Sequence, residues 1–152
     1  RKKIELPDAE WALRLASPPA EGDKRPSVML AQYGVPMKQG QWYRISLLAR
    51  AEGLEAADIP LAITDTSKWQ SLFDYQRFTP TSEWKRFRFE VQSKESVEEK
   101  TRLQIWYEGA GTLWIADVRV EPMADPTQGR WLEGLYMDRP EEWDFPYRFF
   151  RW

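Results

Sequence analysis

The stretch 102–120, RLQIWYEGAGTLWIADVRV, decides the fold. It consists of two alternating runs on either side of a glycine turn, Gly109–Gly111. In the first run Leu103, Ile105 and Tyr107 fall on one side, and Arg102, Gln104, Trp106 and Glu108 on the other. Successive side chains of a strand point to opposite faces, so one set can enter a core while the other is displayed. The displayed set is a guanidinium, an amide, an indole and a carboxylate. The pattern predicts a hairpin whose first strand carries a chemically mixed outer face.

The alternation continues outward from this stretch. WKRFRFEV at 84–91 puts Phe87, Phe89 and Val91 inward and Arg86, Arg88 and Glu90 outward. IPLAIT at 59–64 turns Ile59, Leu61 and Ile63 inward. In QWYRISLLARA at 41–51, Tyr43, Ile45, Leu47 and Ala49 oppose Arg44, Ser46, Leu48 and Arg50. VMLAQYGV at 28–35 and the segment 10–15 read as further strands. SLFDYQRF at 71–78 fits either a strand or a loop edge. The charged run SKESVEEK at 93–100 reads as a solvated loop with room for one helical turn. Short strands between turn signals, with no extended 3.6-residue stripe, predict an all-β fold, a β-sandwich of two antiparallel sheets.

Composition removes whole classes of function. Lys plus Arg is 22 and Asp plus Glu is 24, a net charge of -2, so no electrostatic ground exists for nucleic acid or an anionic membrane surface as partner. No apolar run approaches the ~20 residues of a membrane-spanning helix. There is no cysteine and no histidine. Disulfides, thiolate or imidazole metal sites, a Ser-His-Asp triad and a Cys-His pair are therefore excluded. The chain starts at Arg1 without a signal peptide, as a mature form or an excised domain would.

Aromatic residues are abundant: 9 Trp, 6 Tyr and 7 Phe. Nine indoles exceed the need of one core in a 152-residue chain, so some are expected on the surface, where exposed aromatics serve recognition. The expected domain spans residues 1–124, and 125–152 form an aromatic-rich C-terminal extension. From Trp131 onward the extension is dense in aromatics and prolines and lacks alternation. Such a segment packs back on the sandwich or meets a following module.

The ordered set of segments resembles a known family. The G-x-x-Y-x-x-S run at Gly40–Ser46, the strand entry at Thr81–Trp84 and the G-T-x-W-I-x-D-V close at Gly111–Val118 carry the likeness, over roughly residues 32–121. It is similar to carbohydrate-binding modules of the family 4/9/22 group, which are galactose-binding-like β-sandwich jelly rolls appended to secreted glycoside hydrolases. The resemblance implies a non-catalytic, secreted module. Such a module binds a polysaccharide or oligosaccharide chain in a cleft on its concave sheet and targets an attached glycoside hydrolase. Carried onto this chain, the cleft residues are Arg102, Gln104 and Trp106, with Tyr33 (or Gln32, if the register slips by one) and Trp69 and Tyr75 from the loop after the IPLAIT strand. The family often also holds a structural calcium ion with an aspartate near the last strand among its ligands. Here that aspartate is Asp117, and Ala116 stands where the family's close has the first of a pair, which weakens the set for an ion that takes six to eight oxygens.

The residues support the same assignment on chemical grounds. An indole such as Trp106 offers a flat apolar plate to a pyranose ring, and the Gln104 amide offers both a donor and an acceptor to vicinal hydroxyls. Arg102 can grip hydroxyls or a uronate bidentately, or can pair with Glu108 or Glu90. Trp69, in the polar run TDTSKWQS, is expected to be exposed; Trp84 and Trp114, at strand entries, are expected to be structural; Trp11 and Trp42 fit either role. Two other functions remain open at this level. One is an accessory sandwich that packs on a catalytic domain without binding sugar. The other is a glycosidase or lyase using acids such as Asp65, Asp74 and Glu108, although nothing in their spacing marks a pair.

Overall fold

The computed structural model of the chain describes residues 2–6, 9–17, 22, 25–127 and 147–148. Among them eleven strands and no helix form: β1 (Lys2–Leu6), β2 (Ala9–Ser17), β3 (Ser27–Tyr33), β4 (Trp42–Glu52), β5 (Ile59–Asp65), β6 (Gln70–Ser71), β7 (Gln76–Phe78), β8 (Lys85–Gln92), β9 (Thr101–Glu108), β10 (Gly111–Met123) and β11 (Tyr147–Arg148). Six strands make one antiparallel sheet in the order β1-β2-β10-β4-β8, with β11 against the free edge of β10. Five make the other, in the order β3-β9-β5-β6, with β7 also on β5.

The core between the sheets comes from the inward parity of each strand. From the six-stranded sheet it takes Tyr43, Ile45, Leu47 and Ala49 of β4, Leu113, Ile115, Val118 and Val120 of β10, and Val91 of β8. The five-stranded sheet answers with Leu103, Ile105 and Tyr107 of β9 and Ile59, Leu61 and Ile63 of β5. Burying each of the larger aliphatic side chains stabilises the fold by about 1.5–3 kcal/mol, so this layer is the main support for the outer faces.

The stretch 102–120 is not the expected hairpin. β9 pairs with β3 and β5, whereas β10 pairs with β2 and β4, so the glycine turn carries the chain from one sheet across to the other. Contacts at the turn explain the crossing. The Gly109 N–H donates to the Pro26 carbonyl at 2.9 Å, and the Glu55 N–H donates to the Ala110 carbonyl at 3.0 Å. Gly111 has φ +121°, and a Cβ there would stand 2.6 Å from the Leu54 Cα, so only glycine fits. The Tyr107 hydroxyl ties the two layers further, lying 2.9 Å from the Gly111 carbonyl and 3.0 Å from that of Leu15.

Three smaller expectations also change. The run 93–100 contains no helical turn; Val97 instead forms a bridge to Met37. The run 71–78 is split, its ends joining β5 as β6 and β7. β1 was not expected from the sequence. Of the extension 125–152, the strand β11 joins the six-stranded sheet, and the expected packing of 128–146 and 149–152 lies outside the described residues.

Candidate functional site

The outer face of the five-stranded sheet is built from the parity opposite to the core. On β9 it presents Arg102, Gln104 and Trp106, as the alternation requires. Their neighbours on β3 are Tyr33 opposite Arg102, Ala31 opposite Gln104 and Met29 opposite Trp106. On β5, Thr64 lies opposite Arg102 and Ala62 opposite Gln104. Gln32 pairs with Leu103, on the core parity, so of the two register alternatives the face belongs to Tyr33. Tyr33 is 61% exposed.

Three contacts organise this face. The Arg102 Nε donates to Gln104 Oε1 at 2.8 Å. The Arg102 guanidinium carbon lies 5.3 Å from the centroid of the Trp69 ring, within cation–π range. Tyr75 meets Trp106 edge-on, with centroids 5.3 Å apart and planes at 85°. The two loop aromatics and the three β9 residues named from the sequence are therefore brought together. Gln104 differs from expectation in one respect: it is only 6% exposed, and its carbonyl oxygen is occupied by Arg102. It holds the guanidinium in place more than it presents an amide to a ligand.

Trp69 reaches its position through a strained turn. Asp65 Oδ1 accepts the Ser67 N–H at 2.8 Å, and the Thr66 N–H donates to the Lys100 carbonyl at 2.9 Å. These bonds fix the turn that follows β5 and leave Trp69 at φ 55°, a left-handed conformation costing a bulky residue roughly 1–2 kcal/mol. The indole nevertheless stays 65% exposed. Strain that holds an apolar plate in solvent fits a surface shaped for contact.

At the other end of the face a hollow of about 260 Å³ lies beside Trp106, lined also by Arg25, Ala57, Asp58, Pro60 and Glu108. Met29, 44% exposed, completes this end. Neither Met29 nor the hollow was foreseen. Parity on β3 is enough to find Met29, but the hollow depends on how the loop before β5 meets β9.

Asp117 is placed elsewhere, on the outer face of the six-stranded sheet. Between Ala116 and Arg119 two residues of β10 oppose one of β4, a β-bulge, and Asp117 takes φ 49° in it. The bulge switches the parity of β10, so that both Ile115 and Val118 reach the core. The Asp117 side chain is 3% exposed and accepts hydrogen bonds from Arg86 Nη2 at 2.8 Å and Arg119 Nε at 3.0 Å. Two guanidinium groups on its oxygens do not fit a calcium site, which needs further oxygens rather than cations. No cluster of three acidic or other metal-binding side chains occurs among the described residues.

Four further indoles fall among the described residues. Trp84 packs on Ala12, Leu48 and Ala116, and Trp114 lies beneath Arg50 at 4.5 Å. Trp42 is half-buried and Trp11 exposed. The candidate acids are scattered. Asp65 and Glu108 lie near opposite ends of β9, roughly 20 Å apart, beyond the span of a glycosidase pair. Asp74 is paired with Lys94 at 3.1 Å.

Comparison with known proteins bears on the fold. No family model matches the chain, and no curated protein matches its sequence. Among solved structures, a family 4 carbohydrate-binding module matches with a TM-score of 0.55 at 12% identity, over 74% of this chain and 94% of its own. The fold is that of the carbohydrate-binding β-sandwiches. The N-terminal cellulose-binding domain of β-1,4-glucanase C from Cellulomonas fimi also matches, with a TM-score of 0.55 at 16% identity, over 75% of this chain and 80% of its own. A family 61 module solved with β-1,4-galactotriose matches at 0.50 and 18% identity, over 76% and 72%. Among the described residues no helix is long and apolar enough to cross a membrane.

Proposed function

We propose that the chain is a non-catalytic carbohydrate-binding module that holds a polysaccharide or oligosaccharide along the outer face of its five-stranded sheet. The observation that carries this is the Trp106 indole, held edge-on by Tyr75 on the same face as the Arg102–Gln104 pair and the Trp69 plate. A pyranose ring lying on the indole buries apolar C–H surface, and the guanidinium supplies fixed donors to its oxygens. Tyr33 and Trp69 flank Arg102 and extend the track toward the other end of the sheet. The known modules of this fold support the assignment. Those solved with galactotriose or named for cellulose make β-1,4-linked glycans the first probes. Tethered to a glycoside hydrolase outside the cell, the module would raise the enzyme's effective concentration at its polymer.

The test is affinity electrophoresis and calorimetry of the whole chain against a broad glycan panel, with Trp106→Ala as the comparison. A folded wild type should bind at least one glycan, and Trp106→Ala should bind it tenfold or more weakly, the loss expected at a central aromatic contact. Circular dichroism should show both proteins equally folded. A folded wild type that binds nothing on the panel overturns the proposal. Equal binding by Trp106→Ala moves the site off this face.

A further inference from the structure

Resting on that assignment, we propose that the glycan is acidic: a uronate carboxylate seats on the Arg102 guanidinium. Arg102 is half-buried on the proposed binding face, and the two groups organising it, the Gln104 amide and the Trp69 ring, are both neutral. Among the described residues no carboxylate lies within ion-pair distance of it. Its strand neighbours are Tyr33 and Thr64, neither of them a carboxylate.

Several cations elsewhere are answered by acids. Arg44 meets Glu90 at 3.5 Å, Arg77 meets Asp58 at 3.0 Å, and Arg86 and Arg119 share Asp117. In the loops around the face, Lys68 meets Glu95 at 3.2 Å and Lys94 meets Asp74 at 3.1 Å. The acid at the far end of β9, Glu108, stands about 20 Å from Arg102 along the strand. Among the described residues, no acid on its own face lies near enough to balance the charge of Arg102.

A guanidinium has five N–H donors, and the Gln104 bond occupies only that on Nε. The remaining fork matches a carboxylate in shape and charge. Sugar hydroxyls can accept the same hydrogen bonds but leave the charge uncompensated in a half-buried setting. Trp106 lies four residues along β9, about 13 Å away, so the ring stacked there and the ring carrying the carboxylate are different sugars of one chain.

The experiment compares polygalacturonate and glucuronoxylan with the same polymers after reduction of their carboxyl groups to neutral sugars. Calorimetry should show at least one acidic polymer binding about 10- to 100-fold more tightly than its reduced form, the range for a hydrogen-bonded charge pair. The preference should shrink as salt is raised. Arg102→Gln should abolish the preference, weakening the acidic polymer far more than the reduced one, which loses only hydrogen bonds to its hydroxyls, and Arg102→Lys should retain part of it. If the reduced polymers or other neutral glycans bind as well as the acidic ones, the acidic preference is overturned and the binding face stands. If neither acidic nor neutral polymers bind, both proposals fail. Should Arg102→Gln not fold, the reduction arm on wild type still decides.

Discussion

The two outer faces of the sandwich use the same residue types to different ends. Each sets an arginine against an indole: Arg50 over Trp114 on the six-stranded sheet, Arg102 by Trp69 on the five-stranded one. On the first face acids answer this arginine and its neighbours. Arg50 pairs with Glu52, and the buried Asp117 takes two arginines. On the second face the arginine is held by a neutral amide, and its indole stands in solvent at the cost of a left-handed backbone. An arginine–tryptophan pair alone therefore says little about function. Whether an acid completes it separates a contact that stabilises the sheet from one available to a ligand.

Breaking the first face should cost stability and spare binding. Asp117→Ala would leave two largely buried guanidinium groups facing each other and place alanine at a positive φ. A loss of about 3 kcal/mol is expected, a fall of roughly 6–12 °C in Tm by calorimetry, with glycan affinity within twofold of wild type. Loss of affinity in a fully stable Asp117→Ala protein would contradict the separation of the two faces.

Tyr107 links the layers that carry those faces. Tyr107→Phe should cost about 1–2 kcal/mol, measured by urea denaturation, because the Leu15 and Gly111 carbonyls lose their shared donor. Burial pushes the Tyr107 phenol above its ordinary value of 10.0, against a smaller opposing effect of Arg14. The folded phenol then stays neutral where the unfolded one has begun to ionise. Its contribution to stability is complete below about pH 10 and declines as pH rises toward the elevated value. The Phe variant should accordingly lose less stability than wild type between neutral pH and the region above pH 10.

Opening the proposed binding face should do the reverse. Trp69→Gly removes the plate and relieves the φ of 55°, while adding backbone entropy to the unfolded chain. Stability should stay within about 1 kcal/mol and glycan affinity fall several-fold; a stability loss of several kcal/mol would mean that Trp69 is structural. The smallest effect is expected from chelation. With Asp117 engaged by arginines, EDTA should leave Tm unchanged, and a drop reversed by calcium would restore the metal site that the resemblance implies.

Much of the candidate face was legible in the chain because a strand has a period of two. Arg102, Gln104 and Trp106 had to lie opposite Leu103, Ile105 and Tyr107 once the segment was extended. The choice between Tyr33 and Gln32 was not legible, since it depends on which residue of β3 pairs with Arg102. The contacts of Trp69 with Arg102 and of Tyr75 with Trp106 join residues far apart in the chain, and no local pattern announces them. The same holds for the burial of Gln104, which follows from what surrounds it rather than from its type.

The sequence by itself determined which side of each strand is apolar, because that is a property of each side chain and the two-residue repeat. It also determined that disulfides, thiolate and imidazole metal sites and histidine-dependent catalysis are absent, because the residues for them are missing. Only the tertiary structure decided which strands share a sheet. The turn Gly109–Gly111 has the flexibility for a hairpin or for a crossing between layers, and the local sequence does not choose. The choice is made by Pro26, Leu54 and Glu55, which take up the hydrogen bonds and the space around the turn. As a result β9 carries the proposed binding face, and β10, its continuation, carries the Asp117 ion-pair network on the opposite side of the molecule.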